Sequence, residues 1–159
     1  MNSFTTPKSG FFKQLNILFT ALLFGQLTIA IVLLYVKSTM DGVILLDNTS
    51  LGVMSMVILG FSVIVFVAGK MLYQKLTAQV QGNLSVKLRR FRSALVIRYA
   101  LVEGVTILGF ILFIISGEVI CLIVGIVSLI YFASLRPTRQ RAINDLNMTT
   151  QEQRELQDF

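Results

Sequence analysis

The sequence contains no histidine and only one cysteine among its 159 residues. Imidazole and thiolate groups are the principal ligands of zinc, haem and copper, so the chain has too few ligands for such sites. Cys121 lies in an apolar run and has no partner for a disulfide within the chain. Without histidine the usual general base of an enzyme is also missing. We therefore expect no metal, no cofactor and no enzymatic activity.

Charged side chains are also scarce, at 14% of residues against about 25% in soluble domains. Hydrophobic residues make up 55% of the chain, and the mean hydropathy is +0.77. The net charge of +6 would indicate nucleic acid binding in a soluble protein. Here the cations lie at the ends of apolar runs, which is typical of membrane topology signals. We expect the partner surface to be a lipid bilayer, not nucleic acid.

Four apolar stretches are bounded by charged or turn residues, at 15–36, 51–73, 94–115 and 119–135. A bilayer core of about 30 Å requires about 20 apolar residues, so the fourth stretch is near the lower limit. The link Ser116–Gly117–Glu118 is so short that the last two helices must be antiparallel neighbours. The sequence predicts an all-α membrane protein, with residues 1–136 forming a bundle of four transmembrane helices.

Lysine and arginine are concentrated before the first stretch, between the second and third, and after the fourth. Cytoplasmic loops carry such an excess, so both termini are predicted to be cytoplasmic. The residues concerned are Lys8, Lys13, Lys75, Lys87, Arg89, Arg90, Arg92, Arg136, Arg139, Arg141 and Arg154.

The basic segment 85–92 is predicted to extend the third helix out of the membrane. Leu84, Leu88 and Phe91 fall on one helical face there, with cations on the other faces. Such a cluster can bind anionic lipid headgroups at roughly 1 kcal/mol per charge. The simpler interpretation is a topology signal alone. The candidate headgroup ligands are Lys87, Arg89, Arg90 and Arg92.

Residues 137–159 have the pattern of a short helical cytoplasmic tail. Pro137 can occupy the first position of a helix. Thr149 and Glu152 match a capping box, which predicts a second short helix. We expect the tail to dock on the protein's own cytoplasmic surface or on a partner. The apolar contacts are predicted to come from Ile143, Leu146, Leu156 and Phe159.

One acidic residue interrupts the third apolar stretch. Glu103 lies nine residues from Ala94, about 13 Å into the membrane at the helical rise. Gln26 and Ser62 have matching depths on other helices, and Thr106 lies one turn beyond Glu103. We expect a protonated Glu103 hydrogen-bonded to Gln26 or Ser62 inside the bundle. Three roles are open: helix packing, proton or ion handling, and contact with another subunit.

Small residues recur at spacings that allow helices to approach closely in lipid. Two stripes are predicted to form helix contacts. They are Ala21, Gly25 and Thr28 on the first helix, and Cys121, Gly125 and Ser128 on the fourth.

The segment Leu51–Gly117 resembles the proteolipid c-subunit hairpin of rotary ATP synthases. Residues 68–72 (AGKML) end a helix before a basic loop, and 101–104 (LVEG) carry a carboxylate on the next helix. The resemblance implies a proton-carrying role for Glu103. The glycine-rich repeat of that family is missing, and 79–83 (QVQGN) lacks its loop arginine and proline. The whole chain also resembles small four-span bacterial proteins, which implies the bacterial inner membrane.

Two functions are consistent with these patterns. The first is an accessory or assembly subunit that acts through helix contacts in a larger membrane complex or a homo-oligomer. The alternative is a proton- or ion-translocating, proteolipid-like subunit that uses Glu103.

Overall fold

The computed structural model describes residues 10–39, 48–78 and 82–156, which are helical apart from short links. The expected all-helical class is thereby confirmed, and these residues contain no strand. The remaining residues, including Lys8 and Phe159 with its predicted tail contact, lie outside the described parts. The helices are α1 (Phe11–Thr39), α2 (Asn48–Ala78), α3 (Leu84–Ser116), α4 (Val119–Ser134), α5 (Arg139–Asp145) and α6 (Thr150–Glu155).

The molecule is an integral membrane protein with three or four candidate spans. Within the described residues, α1, α3 and Gly52–Ala78 of α2 are long and apolar enough to cross a bilayer. Helix α4 has 16 residues and so a length of about 24 Å, short of the roughly 30 Å core. Helix α4 is long enough to cross a bilayer only if it is counted together with α5, to which it is bent by 88°.

The bend between α4 and α5 is set by local chemistry. Pro137 lacks a backbone donor and restricts the residue before it, so α4 cannot continue through this point. Pro137 is not the first residue of α5, contrary to the expectation from sequence. Thr138 is the N-cap, and its side chain accepts a hydrogen bond from the Arg141 N–H.

Helix α3 is the central element of the fold. It packs against α1, α2 and α4, and its most extensive contacts are with α4 and α2. Helices α1 and α2 each also touch α4, but they make no extensive contact with each other. They therefore lie on opposite sides of the α3–α4 pair. The α3–α4 pair is therefore the centre of the helix arrangement.

The α3–α4 pair is held close by two glycines. A Cβ placed on Gly109 would lie 2.8 Å from the Gly125 nitrogen and 3.1 Å from the Cys121 carbonyl oxygen. The connecting turn uses Gly117 at φ 73°, and its N–H donates to the Phe113 carbonyl. That left-handed conformation suits glycine and ends α3 abruptly. Small residues therefore permit the backbone contact on which this hairpin depends.

The largest hydrophobic cluster lies at what we call the basic end: the start of α1 and α3 and the end of α2 and α4. Aromatic and aliphatic side chains from these four helices join residues of the tail in it. The tail therefore docks on the protein's own surface. Its contributions are Ala142, Leu146, Met148 and Leu156, with Ile143 packed alongside.

Candidate functional site: polar groups within the helices

Glu103 lies near the middle of α3, at the border between the helix's packed and open faces. Its neighbours Val102 and Val105 are buried, whereas Gly104 is exposed, and Glu103 itself is partly exposed. Within the described residues, its carboxylate has no hydrogen bond or ion pair. The predicted bond to Ser62 is not formed, because that hydroxyl donates to the Leu59 carbonyl of its own helix at 2.8 Å.

The predicted bond between Glu103 and Gln26 is also not formed. Gln26 is 1% exposed, and both its amide oxygen and its amide nitrogen lack a partner among the described residues. Gln26 on α1 and Ser62 on α2 are separated from each other, because α1 and α2 lie on opposite sides of the α3–α4 pair. The depth of a residue along its helix does not show on which side of the α3–α4 pair that helix lies, so a prediction from depth alone missed this separation.

The register of the helices shows which residues of α3 and α4 lie at the level of Gln26. The Phe19 ring lies 5.6 Å from the Tyr99 ring and stacks on Phe132 at 5.4 Å. Seven residues along each helix from these rings lead to Gln26, Thr106 and Gly125, which therefore lie at similar levels.

The hydroxyls near this level are satisfied within their own helices. Thr106 donates to the Val102 carbonyl at 3.0 Å, and Ser128 donates to the Val124 carbonyl at 2.7 Å. Serine and threonine commonly return such bonds to the preceding turn. The polar layer predicted from depth thus consists of separate groups, not of a bonded network.

The two small-residue stripes have different surroundings. Cys121, Gly125 and Ser128 are buried on α4, and a Cβ on Gly125 would meet the Phe110 ring at 3.2 Å. The stripe on α1 is not covered by another helix of the described structure, so a helix contact there stays a prediction. Its members are exposed, namely Ala21, Gly25 and Thr28.

The packed face of α1 instead carries larger side chains. Phe12, Leu15 and Phe19 are buried at a helical spacing, and Gln26 and Ala30 continue the same face. These side chains fill the space beside α3 and α4. Helix α1 therefore packs through large side chains and not through close approach of its backbone.

A polar cluster at the basic end was not anticipated from the sequence. Arg98 is only 8% exposed, and its guanidinium donates to the Tyr131 hydroxyl at 2.5 Å. The guanidinium also lies over the rings of Tyr73, at 5.1 Å, and Tyr131, at 5.7 Å. The Tyr73 hydroxyl donates in turn to Asp145. This cluster, which we call the Arg98 cluster, links α3, α4, α2 and α5.

Arg98 is therefore buried inside the cluster and not extended into the surroundings. Aromatic rings and a phenolic oxygen compensate for part of its lost hydration, although Nε has no partner among the described residues. Tyr73, Arg98 and Tyr131 all lie near the ends of apolar stretches, a weak sequence signal for such a cluster. Asp145 reaches it only because of the bend after α4.

The basic segment at the start of α3 is divided between two roles. Lys87 pairs with Glu152 of α6 at 2.7 Å, so it is not a free ligand for a lipid headgroup. Arg89, Arg90 and Arg92 are exposed, and headgroup binding by them stays a prediction. Leu84, Leu88 and Phe91 on the opposite face are buried.

The capping box of the tail is present and contributes to this ion pair. The Thr149 N–H donates to the Glu152 carboxylate at 2.8 Å, and the Glu152 N–H donates back to the Thr149 hydroxyl. Hydrogen bonds from Lys87 and from the Thr149 backbone hold the pKa of Glu152 below its ordinary value of 4.5. The carboxylate is therefore charged when the tail is docked.

The arrangement offers polar contacts in lipid more readily than reaction chemistry. In the described part of the chain, no three side chains of histidine, cysteine, aspartate or glutamate come together as metal ligands would. Comparisons of the chain with known protein families, curated proteins and solved structures found no match. Function must therefore be inferred from the molecule's own geometry.

Proposed function

We propose that this protein is an accessory or assembly subunit that binds a transmembrane helix of a partner through the open face of α3. The observation that carries the proposal is the carboxyl group of Glu103. It lies near the middle of an apolar helix, and no described residue bonds to it. Charged residues at the centre of a membrane helix cost about 2.5–3.5 kcal/mol on insertion scales, so a partner that bonds to Glu103 offsets part of that cost.

The face beside Glu103 is suited to a neighbouring helix. Ala100 and Gly104 are both exposed there, four residues apart. A Cβ added to Gly104 would meet nothing within 4 Å. Small residues at this spacing let two helices approach closely in lipid, where a polar side chain can bond across the contact. Since α4 covers the buried face and α1 and α2 flank it, this open face is the remaining surface of α3.

The proposal includes an orientation. The basic end carries most of the lysines and arginines near the spans, which supports a cytoplasmic position for both termini in a bacterial inner membrane. Glu103 would then meet its partner within the bilayer, with the docked tail on the cytoplasmic side.

Site-specific photo-crosslinking in the native membrane tests the contact. A crosslinking amino acid at Ala100 should capture one discrete product, whereas the same group at the exposed Val63 on α2 should capture lipid only. The mass of the product separates a second copy of this chain from a different subunit. Equal products from both positions, or none from Ala100, would contradict the proposal.

Two variants connect the crosslink to the side chains that the proposal uses. Gly104→Leu should remove the product because its side chain fills the open face. Gly60→Leu is the matched control, since a Cβ on Gly60 also meets nothing within 4 Å. Glu103→Leu should weaken the product, and Glu103→Gln should retain it, because an amide can still hydrogen-bond across the contact.

Proton handling is a second candidate, supported by the same unbonded and partly exposed carboxyl group. A proton-carrying carboxylate in a membrane must be reachable from the helix surface and free to exchange. Under this alternative, a carbodiimide should label Glu103 in intact membranes, and Glu103→Gln should abolish activity in the cell at normal protein levels. Full function of Glu103→Gln, together with an intact crosslink at Ala100, would exclude proton handling by Glu103 and would leave only the subunit role.

A further inference from the structure

A groove with a volume of about 860 Å³ runs along the first half of α1, beside the link between α4 and α5. Three cations line it, namely Lys13, Arg136 and Arg139, and no acidic residue is among its lining side chains. It lies on α1 and α4–α5, away from the open face of α3 and from the basic segment 85–92.

The three cations meet at one level of the basic end. The stack of Phe19 on Phe132 sets α1 and α4 in register. Lys13 lies six residues before Phe19, about 9 Å at the helical rise, and Arg136 lies just beyond the end of α4, four residues after Phe132. The Arg139 guanidinium is held over the Phe12 ring at 5.7 Å. Helix α1 and the segment that follows α4 therefore both place positive charge at one end of the groove, which we call its mouth.

The chemistry of the groove changes along its length. Asn16 and Thr138 add polar atoms near the cations. Ile17 and Phe24, 60% and 64% exposed, continue the lining toward the middle of the membrane, with the small Ala21 between them. Ile17 to Phe24 covers seven residues, about 10 Å of helix. The result is a cationic mouth joined to an apolar wall.

We propose that this groove binds one anionic phospholipid, with its phosphate among Lys13, Arg136 and Arg139 and an acyl chain along Ile17, Ala21 and Phe24. A soluble phosphate would use the mouth and leave the apolar wall unused. A zwitterionic lipid would use the wall but gain less from the three cations. Only an anionic lipid matches both parts, and the basic end is where its headgroup would lie.

Native mass spectrometry of the full-length protein tests the proposal directly. The protein is delipidated in mild detergent and offered equal amounts of phosphatidylglycerol and phosphatidylcholine. We expect a one-to-one adduct with phosphatidylglycerol that persists when the phosphatidylcholine adducts are lost. Glycerol 3-phosphate, which has the headgroup charge without chains, should not compete at the same concentration. Equal retention of the two lipids, or competition by glycerol 3-phosphate, would overturn the proposal.

Matched variants assign the adduct to the groove. Replacing Lys13, Arg136 and Arg139 by glutamine should weaken phosphatidylglycerol binding about fivefold for each cation removed. The control replaces Lys70, Lys75 and Arg154 by glutamine, three exposed cations that do not line the groove, which removes the same charge elsewhere and should leave the adduct unchanged. Equal loss in the two sets would show that net charge alone attracts the lipid and would contradict the site.

A variant that keeps the charge makes the test independent of how the triple variant folds. Ala21→Trp fills the apolar wall from an exposed position and should remove the adduct while all three cations remain. The control Gly60→Trp places the same ring on the open surface of α2. Retention of the adduct in Ala21→Trp would show that the acyl chain lies elsewhere and would overturn the proposal.

Discussion

Two buried polar side chains in this protein have very different surroundings. Arg98 has the Tyr131 hydroxyl and two aromatic faces around its guanidinium. Gln26 is buried to a similar degree, yet its amide has no partner among the described residues. An unsatisfied buried amide costs free energy, whereas a buried charge that loses its bonding partner destabilises the fold. Substitution at the two sites should therefore have opposite effects.

Tyr131→Phe should destabilise the protein by about 1–3 kcal/mol, because it leaves a buried charged donor without its acceptor. Thermal unfolding in detergent, followed by circular dichroism, measures the change. Tyr35→Phe is the matched control, since Tyr35 is 69% exposed. Equal melting temperatures for the two variants would show that the Arg98–Tyr131 bond adds nothing to stability.

Gln26→Met should raise the free energy of unfolding by about 1–3 kcal/mol, the cost of burying an amide without a partner. Methionine keeps the length and flexibility of the side chain, so packing is preserved. Gln26→Ala should instead lower stability, because it leaves a cavity. If Gln26→Met destabilised the protein as much as Gln26→Ala, the amide would have to bond to a group outside the described residues.

At the scale of single elements, the contact between α3 and α4 depends on the absence of side chains. The Cβ of any larger residue at position 109 would collide with the backbone of α4, which cannot move away as a flexible side chain could. The same pair is closed by the turn at Gly117. The short helix α4 is therefore positioned by close backbone contact and by the turn, more than by its own length.

Gly109→Ala should destabilise the hairpin by about 1–3 kcal/mol, the usual cost of overpacking. Gly125→Leu should cost more, since its larger side chain would meet the Phe110 ring. Gly60→Ala, on an open surface, and the exposed Ala133→Leu should have little effect. Stability in increasing detergent or denaturant gives the comparison. Tolerance of Gly109→Ala would mean that α3 and α4 lie farther apart than the fold indicates.

Docking of α6 should depend on pH through Glu152. Its folded-state pKa lies below its ordinary value of 4.5, so the contribution of its carboxylate to docking is present above that pH and is lost as pH falls through the lowered pKa. Hydrogen exchange of residues 150–155 at stepped pH measures the loss. Glu152→Gln should remove this pH dependence, and Glu155→Gln, at an exposed position, should not. Unchanged pH dependence in Glu152→Gln would assign it to another group.

At the scale of the whole molecule, α3 organises the other helices. It contacts α1, α2 and α4, and its basic end joins the tail through Lys87 and Glu152. The Arg98 cluster joins α5 to the same end. Side-chain contacts therefore connect several elements at one end of the protein, and the face of α3 near Glu103 is exposed.

The orientation of the molecule is tested by reporters on both sides of the membrane. A reporter fused after Phe159 should be active only in the cytoplasm, and one inserted at Asp47 only outside, because lysine and arginine near the spans favour the cytoplasmic side. Removing cations from the segment 85–92 should weaken this preference. An external C-terminus would overturn the proposed orientation.

The sequence by itself determined the helical class, three of the candidate spans, the capping box and the small residues Cys121, Gly125 and Ser128, which are buried on α4. These features follow from local composition and spacing, since an apolar run of about 20 residues or a threonine three positions before a glutamate has its effect whatever surrounds it. The predicted Glu103 bonds were wrong for a different reason, and the helix contact predicted for the exposed Ala21, Gly25 and Thr28 stays a prediction. Depth and periodicity do not specify which helices are neighbours.

Only the tertiary structure decided that α1 and α2 lie on opposite sides of the α3–α4 pair, which separates Gln26 from Ser62. It also decided that Arg98 is buried among tyrosines and that Asp145 reaches Tyr73. These contacts join residues 33 and 72 positions apart in the chain. They arise from the packing of helices whose apolar surfaces are alike on most sides, so no local pattern in the sequence distinguishes one arrangement from another.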